Sequence, residues 1–121
     1  MAGQASIAKP FYEDLLINES PDRMLEVICR AKLVYYNIVE QIEAGQTDLV
    51  ETEIERIKTQ FPEINENVLA LHLIAEDLYT TAMEVKSEPN SIATEYFSRS
   101  IAIYENEILS LTKELGIAFV P

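Results

Sequence analysis

The stretch NESPDRMLEVICRAKLVYYNIVEQIEAGQTD, residues 18–48, decides the fold class. It has a start, a periodic middle and a stop. Ser20 is placed to accept hydrogen bonds from the free amides of a first helical turn, and Pro21 at the first helical position loses no needed donor. Asp22 puts an anion where the helix dipole favours one. Met24, Ile28, Ala31, Tyr35, Ile38 and Ile42 recur at four- and three-residue spacing, one face of an α-helix, and Val27, Val34 and Val39 widen that face. Gly45 takes the left-handed conformation beyond a helix end without strain. The expected element is a helix over residues 22–44, about 34 Å long.

Upstream, residues 1–17 begin small and polar, so the first ten are expected to be mobile. Phe11, Tyr12, Leu15, Leu16 and Ile17 are too apolar for a free tail. They predict either a short turn packed on the domain or a detachable cover over a groove. Downstream, Thr47 is a cap for a helix over 48–60, with Val50, Ile54 and Ile57 inward and Glu51, Glu53, Glu55, Arg56 and Lys58 on a solvated face. The apolar spacing then runs on from Val50 to Val85, which also permits one long helix whose stripe a dimer would bury. Pro62 opposes that arrangement, because an interior proline costs about 3 kcal/mol. Asn65 and Asn67 are capping residues, so a turn at 61–66 and a separate helix over 67–87 are expected.

Glu88-Pro89-Asn90-Ser91 reads as a turn and a cap for a last helix over 92–115, ended by Gly116. Phe97, Ile101, Tyr104, Ile108, Leu111 and Leu115 form its main stripe; Ile92, Tyr96, Ile103 and Leu109 form a second. Helices joined by short turns predict one all-α domain spanning the 121 residues, an antiparallel up-down four-helix bundle with a short N-terminal segment packed on it.

Hydrophobic residues make up 48% of the chain, enough for a core without disulfides or metal. The net charge of −12 repels nucleic-acid phosphate and anionic membranes and suits a basic partner, so neither nucleic acid nor membrane is expected as a partner. Cys29, the only cysteine, lies in the apolar pattern and reads as a buried structural thiol. One N-terminal lysine and no long apolar run predict no signal peptide, and no stretch approaches a membrane span, so a cytoplasmic protein is expected.

Residues for catalysis are few. His72 stands alone among leucines and reads as an ordinary half-buried histidine. No Glu-x-x-His motif of di-iron bundles is present, the carboxylates at Glu76-Asp77 and Glu105/Glu107 read as solvated, and no glycine-rich phosphate loop exists. No enzyme, cofactor or metal is expected. What the last two helices do have is more apolar surface than the roughly three positions in seven that a bundle needs. Periodicity leaves two accounts of it open: a well-buried central pair of helices, or a groove for a partner's amphipathic helix. Whether the chain is a monomer or a homodimer is also open on the residues alone.

Asn18-Glu19-Ser20-Pro21, the apolar helix ending Gln41-Ile42-Glu43-Ala44-Gly45, the short polar turn and the acidic second helix together resemble the flagellar export chaperone family FliS. Tyr12 matches the family's tyrosine ahead of its first helix, and Asn67-Val68-Leu69-Ala70-Leu71-His72 resembles its Asn-Leu-x-x-Leu-Tyr, with His72 at the tyrosine. The family's glycine pair between the second and third helices is missing and the shorter loop carries Phe61-Pro62, which suggests a divergent member or a related helical-bundle chaperone. The resemblance implies a cytoplasmic chaperone that binds the C-terminal helical segment of flagellin, prevents premature polymerisation and assists secretion. Tyr12, Leu16, Leu73, Tyr79, Tyr96 and Ile103 are the residues expected to meet that client. The alternative, motivated by charge, is an acidic helical-bundle protein of immunity or inhibitor type acting on a basic partner.

Overall fold

A computed structural model describes residues 2–18, 22–87 and 92–109. The expected Ser20-Pro21 start, the turn at 88–91, Leu111, Leu115, Gly116 and the tail beyond it lie outside the described residues. Within them the chain is all helical, with no strand: α1 (Ala2–Asn18), α2 (Arg23–Glu43), a 3-10 turn (Thr47–Leu49), α3 (Val50–Gln60), α4 (Ile64–Val85), α5 (Ala93–Ala102) and a π-helical segment (Ile103–Ile108).

The opening stretch forms the helix its pattern predicts, with one change at the start. Asp22 is itself the N-cap: its carboxylate accepts from the Leu25 amide at 2.8 Å. At the other end Gly45 sits at φ 74°, the Gln46 amide reaches back to the Gln41 carbonyl at 2.8 Å, and the Gly45 amide to the Ile42 carbonyl at 3.1 Å. Those two bonds are the Schellman closure, and only its left-handed residue requires glycine. The core face is Val27, Ala31, Val34, Tyr35, Ile38, Val39 and Ile42; Met24, expected on it, is exposed.

Residues 1–17 are corrected most. From Ala2 on they are neither a mobile tail nor a short turn: they lie in a 17-residue helix, Ala2–Asn18, with Pro10 inside it. Thr47 does not cap; the 3-10 turn runs directly into α3 without a side-chain cap. The break between α3 and α4 falls at Phe61–Glu63, which removes the single long helix. Glu63, not Asn65 or Asn67, caps α4, accepting from the Asn65 and Glu66 amides. Asn67 is buried and serves the other side of the break. Its amide donates to the Phe61 carbonyl at 2.9 Å and the Lys58 carbonyl at 3.4 Å, satisfying the end of α3. Phe61 fills the space beneath, and burying a side chain of that size contributes about 2–3 kcal/mol.

Side-chain pairs fix the direction of each packed neighbour. α1 lies antiparallel on α2 through Lys9–Glu40 at 2.7 Å and the Tyr12 ring 6.3 Å from Tyr36. α2 and α4 run the same way, tied by Arg23–Glu66, Lys32–Asp77 and the buried Tyr35–Thr81 hydroxyl pair. α4 and α5 run oppositely, since Tyr79 meets Phe97 and His72 meets Tyr104. α3 and α5 run the same way, joined by Glu51–Arg99 and Lys58–Glu107.

The face of α5 is inverted from the expectation. Ala93, Tyr96, Ser100 and Ile103 enter the core, while Phe97 and Tyr104 are half-buried and Ile101 is exposed. Small residues explain the choice: Ala75 and Ser100 are both buried where α4 and α5 cross, and the Ser100 hydroxyl donates to the Ala75 carbonyl at 2.7 Å. The π-segment then adds a residue to the turn, so Ile103 and Ile108, five apart, both face inward. Glu53, expected on the solvated face, is buried; Asn37, Gln41 and Arg56 donate to its carboxylate at 3.1–3.2 Å and offset the loss of water.

Candidate helix-binding surfaces

Two surfaces emerge from this packing, one covered and one open. The covered surface is the outer face of α2 beneath α1. Cys29 and Tyr36, seven residues apart, lie on one stripe of α2 with Glu40, and Cys29 is fully buried. Burial pushes the Cys29 thiol up, and it pushes up the Tyr36 phenol, with Tyr12 adding to the shift. Lys32 sits beside them. Burial opposes its charge, but the Asp77 carboxylate, 2.7 Å away, outweighs that and raises its pKa overall.

The cover itself is poorly built as a helix. Pro10 lacks an amide donor and its ring crowds the preceding turn. No acidic residue stands in the first turn and no basic residue in the last. Ala5 is fully buried on its inner side, yet Ile7 and Phe11 are 78% and 58% exposed on its outer side. α1 is therefore apolar on two faces and holds its place by docking on α2, not by its own helical stability.

The open surface is the outward seam of α4 and α5. Tyr79 and Ile101 are 50% and 52% exposed, and Met83 is exposed beside them. The Tyr79 and Phe97 rings meet edge to face at 5.5 Å, and the His72 and Tyr104 rings at 5.9 Å. His72 is not half-buried as expected. It lies on the surface, its Nδ1 3.2 Å from the Tyr104 hydroxyl and its Nε2 3.1 Å from Glu76.

Of the residues expected to meet a partner, Tyr12 and Leu16 lie half-buried on α1, Leu73 is half-buried against the core on α4, and Tyr79 is on the open seam. Tyr96 and Ile103 are 0% and 3% exposed and belong to the core. The surface positions of Ile101 and Met83, and the half-buried position of Phe97 beside them, were not expected. Their signal was present, since Phe97, Ile101 and Tyr104 form the more apolar stripe of their helix, but a more apolar stripe is ordinarily the buried one.

Chemistry elsewhere is sparse. Among the described residues no group of three or more His, Cys, Asp or Glu could hold a metal ion. Asp77 and Glu107, read as solvated, instead pair with Lys32 and Lys58 at 2.7 Å each and bridge helices. A depression of about 800 Å³ lies over Glu40, Gln41, Glu43, Glu53 and Arg56 and opens widely to solvent. No helix among the described residues is long and apolar enough to cross a membrane. No family model matches the chain, no curated protein matches its sequence, and no solved structure matches its fold.

Proposed function

We propose that α2 to α5 form the up-down four-helix bundle of a cytoplasmic export chaperone, and that α1 is a cover its client displaces. The client is an amphipathic helical segment, and by the resemblance of residues 18–48 it is the C-terminal segment of flagellin. The observation that carries the reading is α1 itself: a helix with an interior proline laid lengthwise on a continuous stripe of α2. A client helix with a single clean apolar face and no proline competes favourably for that stripe. Held there, its apolar residues are unavailable for self-assembly until handover.

The test compares the full chain with Ala5→Asp, which puts a charge on the buried side of α1 and lifts it. A labelled flagellin C-terminal peptide is titrated with each protein and followed by fluorescence anisotropy. Ala5→Asp is expected to bind about tenfold more tightly, because the binding-competent state no longer has to be drawn from a minor population. Equal affinities would remove α1 as the cover. No binding by either protein at tens of micromolar would remove flagellin as the client.

A further inference from the structure

The open seam of α4 and α5 is separate from the stripe under α1 and carries its own signature. His72–Tyr104 and Tyr79–Phe97 form two aromatic rungs across it. The rungs stand seven residues apart on α4, from 72 to 79, a span of about 10 Å along an α-helix, and seven apart again from Phe97 on α5 to Tyr104 on the π-segment. Seven residues is the repeat at which an amphipathic helix returns the same face to a partner. Between the rungs lie Ile101, half exposed, and Glu76, whose side chain is 61% exposed and lies 3.1 Å from the His72 Nε2. Glu105, exposed on the π-segment, forms no ion pair among the described residues.

We propose that this seam binds a basic amphipathic helix of a partner protein. Apolar side chains at heptad spacing seat on the two rungs and on Ile101 and Met83. Lysine or arginine on the partner's flanks meets Glu76 and Glu105. Charge selects this occupant over a second copy: the chain carries a net charge of −12, and two copies face to face would bring the same carboxylates together. It also sets the seam apart from the stripe under α1, where the carboxylates Glu40 and Asp77 are already neutralised by Lys9 and Lys32.

The probe is a pair of synthetic three-heptad helical peptides with identical leucine stripes, one with lysine flanks and one with glutamate flanks, titrated into the full chain by calorimetry. The lysine peptide is expected to bind with one-to-one stoichiometry and an affinity that falls as salt rises; the glutamate peptide is expected not to bind. Ile101→Asp separates seating on the seam from attraction to an acidic surface. It adds a negative charge at an exposed site, so bulk attraction would strengthen, whereas seating on the rungs should weaken at least tenfold. Glu76→Lys with Glu105→Lys should weaken the lysine peptide to a similar degree and leave the helical circular dichroism unchanged. Ala5→Asp, which lifts α1, should not alter this affinity, so failure here and failure of the cover reading are distinguishable. Unchanged or tighter binding by Ile101→Asp, equal binding of both peptides, or a stable dimer of the full chain that Ile101→Asp dissolves would each overturn the proposal.

Discussion

Single residues set the joints of this fold, and their chemistry gives pH a defined effect on it. Tyr35 is buried, its hydroxyl is paired with Thr81, and burial pushes its phenol up to about 12. An unfolded tyrosine titrates near pH 10. Between about pH 10 and pH 12 the unfolded chain therefore holds fewer protons at this site than the folded one, and stability falls as pH rises through that window. Burial, with the Glu43 carboxylate next, raises Tyr96 in the same direction. Urea denaturation followed at pH 9, 10 and 11 should show the midpoint dropping, and Tyr35→Phe should flatten part of that drop while lowering stability at pH 7 by about 1 kcal/mol for the lost hydroxyl pair. At Gly45 the backbone is left-handed and nothing stands within 4 Å of where a Cβ would be, so Gly45→Ala meets strain but no clash. It should cost about 1–2 kcal/mol in the same assay.

At the scale of the element, α1 and α5 behave oppositely to their sequence pattern. α1 is a helix despite Pro10 because docking on α2 supplies what its own backbone lacks. Pro10→Ala should stabilise the cover by up to about 3 kcal/mol, the helix-interior cost of proline. Cys29 reports on it: its thiol is buried on the α2 stripe that α1 covers, so labelling by an aromatic disulfide reagent should slow in Pro10→Ala and accelerate in Ala5→Asp. For α5 the contrast lies between neighbours. Ile103→Asp buries a charge in the core and should abolish the cooperative unfolding transition, whereas Ile101→Asp, two residues away on the exposed stripe, should keep it. Loss of the transition in both would place the Phe97–Ile101–Tyr104 stripe in the core after all.

Across the whole molecule, charge is distributed unevenly between joints and surface. At least seven of the nine lysines and arginines are tied to carboxylates, several of them between helices, as in Arg23–Glu66, Lys32–Asp77 and Lys58–Glu107. The bidentate Arg23 guanidinium holds the Glu66 carboxyl below its usual range and also lies over the Phe61 ring at 5.0 Å, so it joins the starts of α2 and α4 to the end of α3. Acidic residues outnumber basic ones by 21 to 9, and the carboxylates in excess repel one another. Moderate salt screens that repulsion more than it weakens half-buried pairs, so the thermal midpoint should rise between 10 mM and 300 mM sodium chloride, as the Debye length falls from about 30 Å to about 6 Å. A midpoint that falls instead would mean the interhelical pairs dominate.

The sequence by itself determined the helical elements, because each of Val27–Ile42, Val50–Ile57 and Ala70–Val85 repeats apolar residues at the helical period and is bounded by residues whose backbone preferences stop it, Asp22, Gly45 and Pro62 among them. Those are local properties, fixed by steric preference and side-chain spacing within a few residues. Tertiary structure alone decided that residues 2–18 form a helix, since docking overrides a weak intrinsic propensity. It also decided which of two apolar stripes on α5 is core. Both stripes satisfy the helical period, and the close approach that Ala75 and Ser100 allow, followed by the extra residue of the π-segment, selects Tyr96 and Ile103 for the interior and leaves Phe97 half-buried and Ile101 exposed.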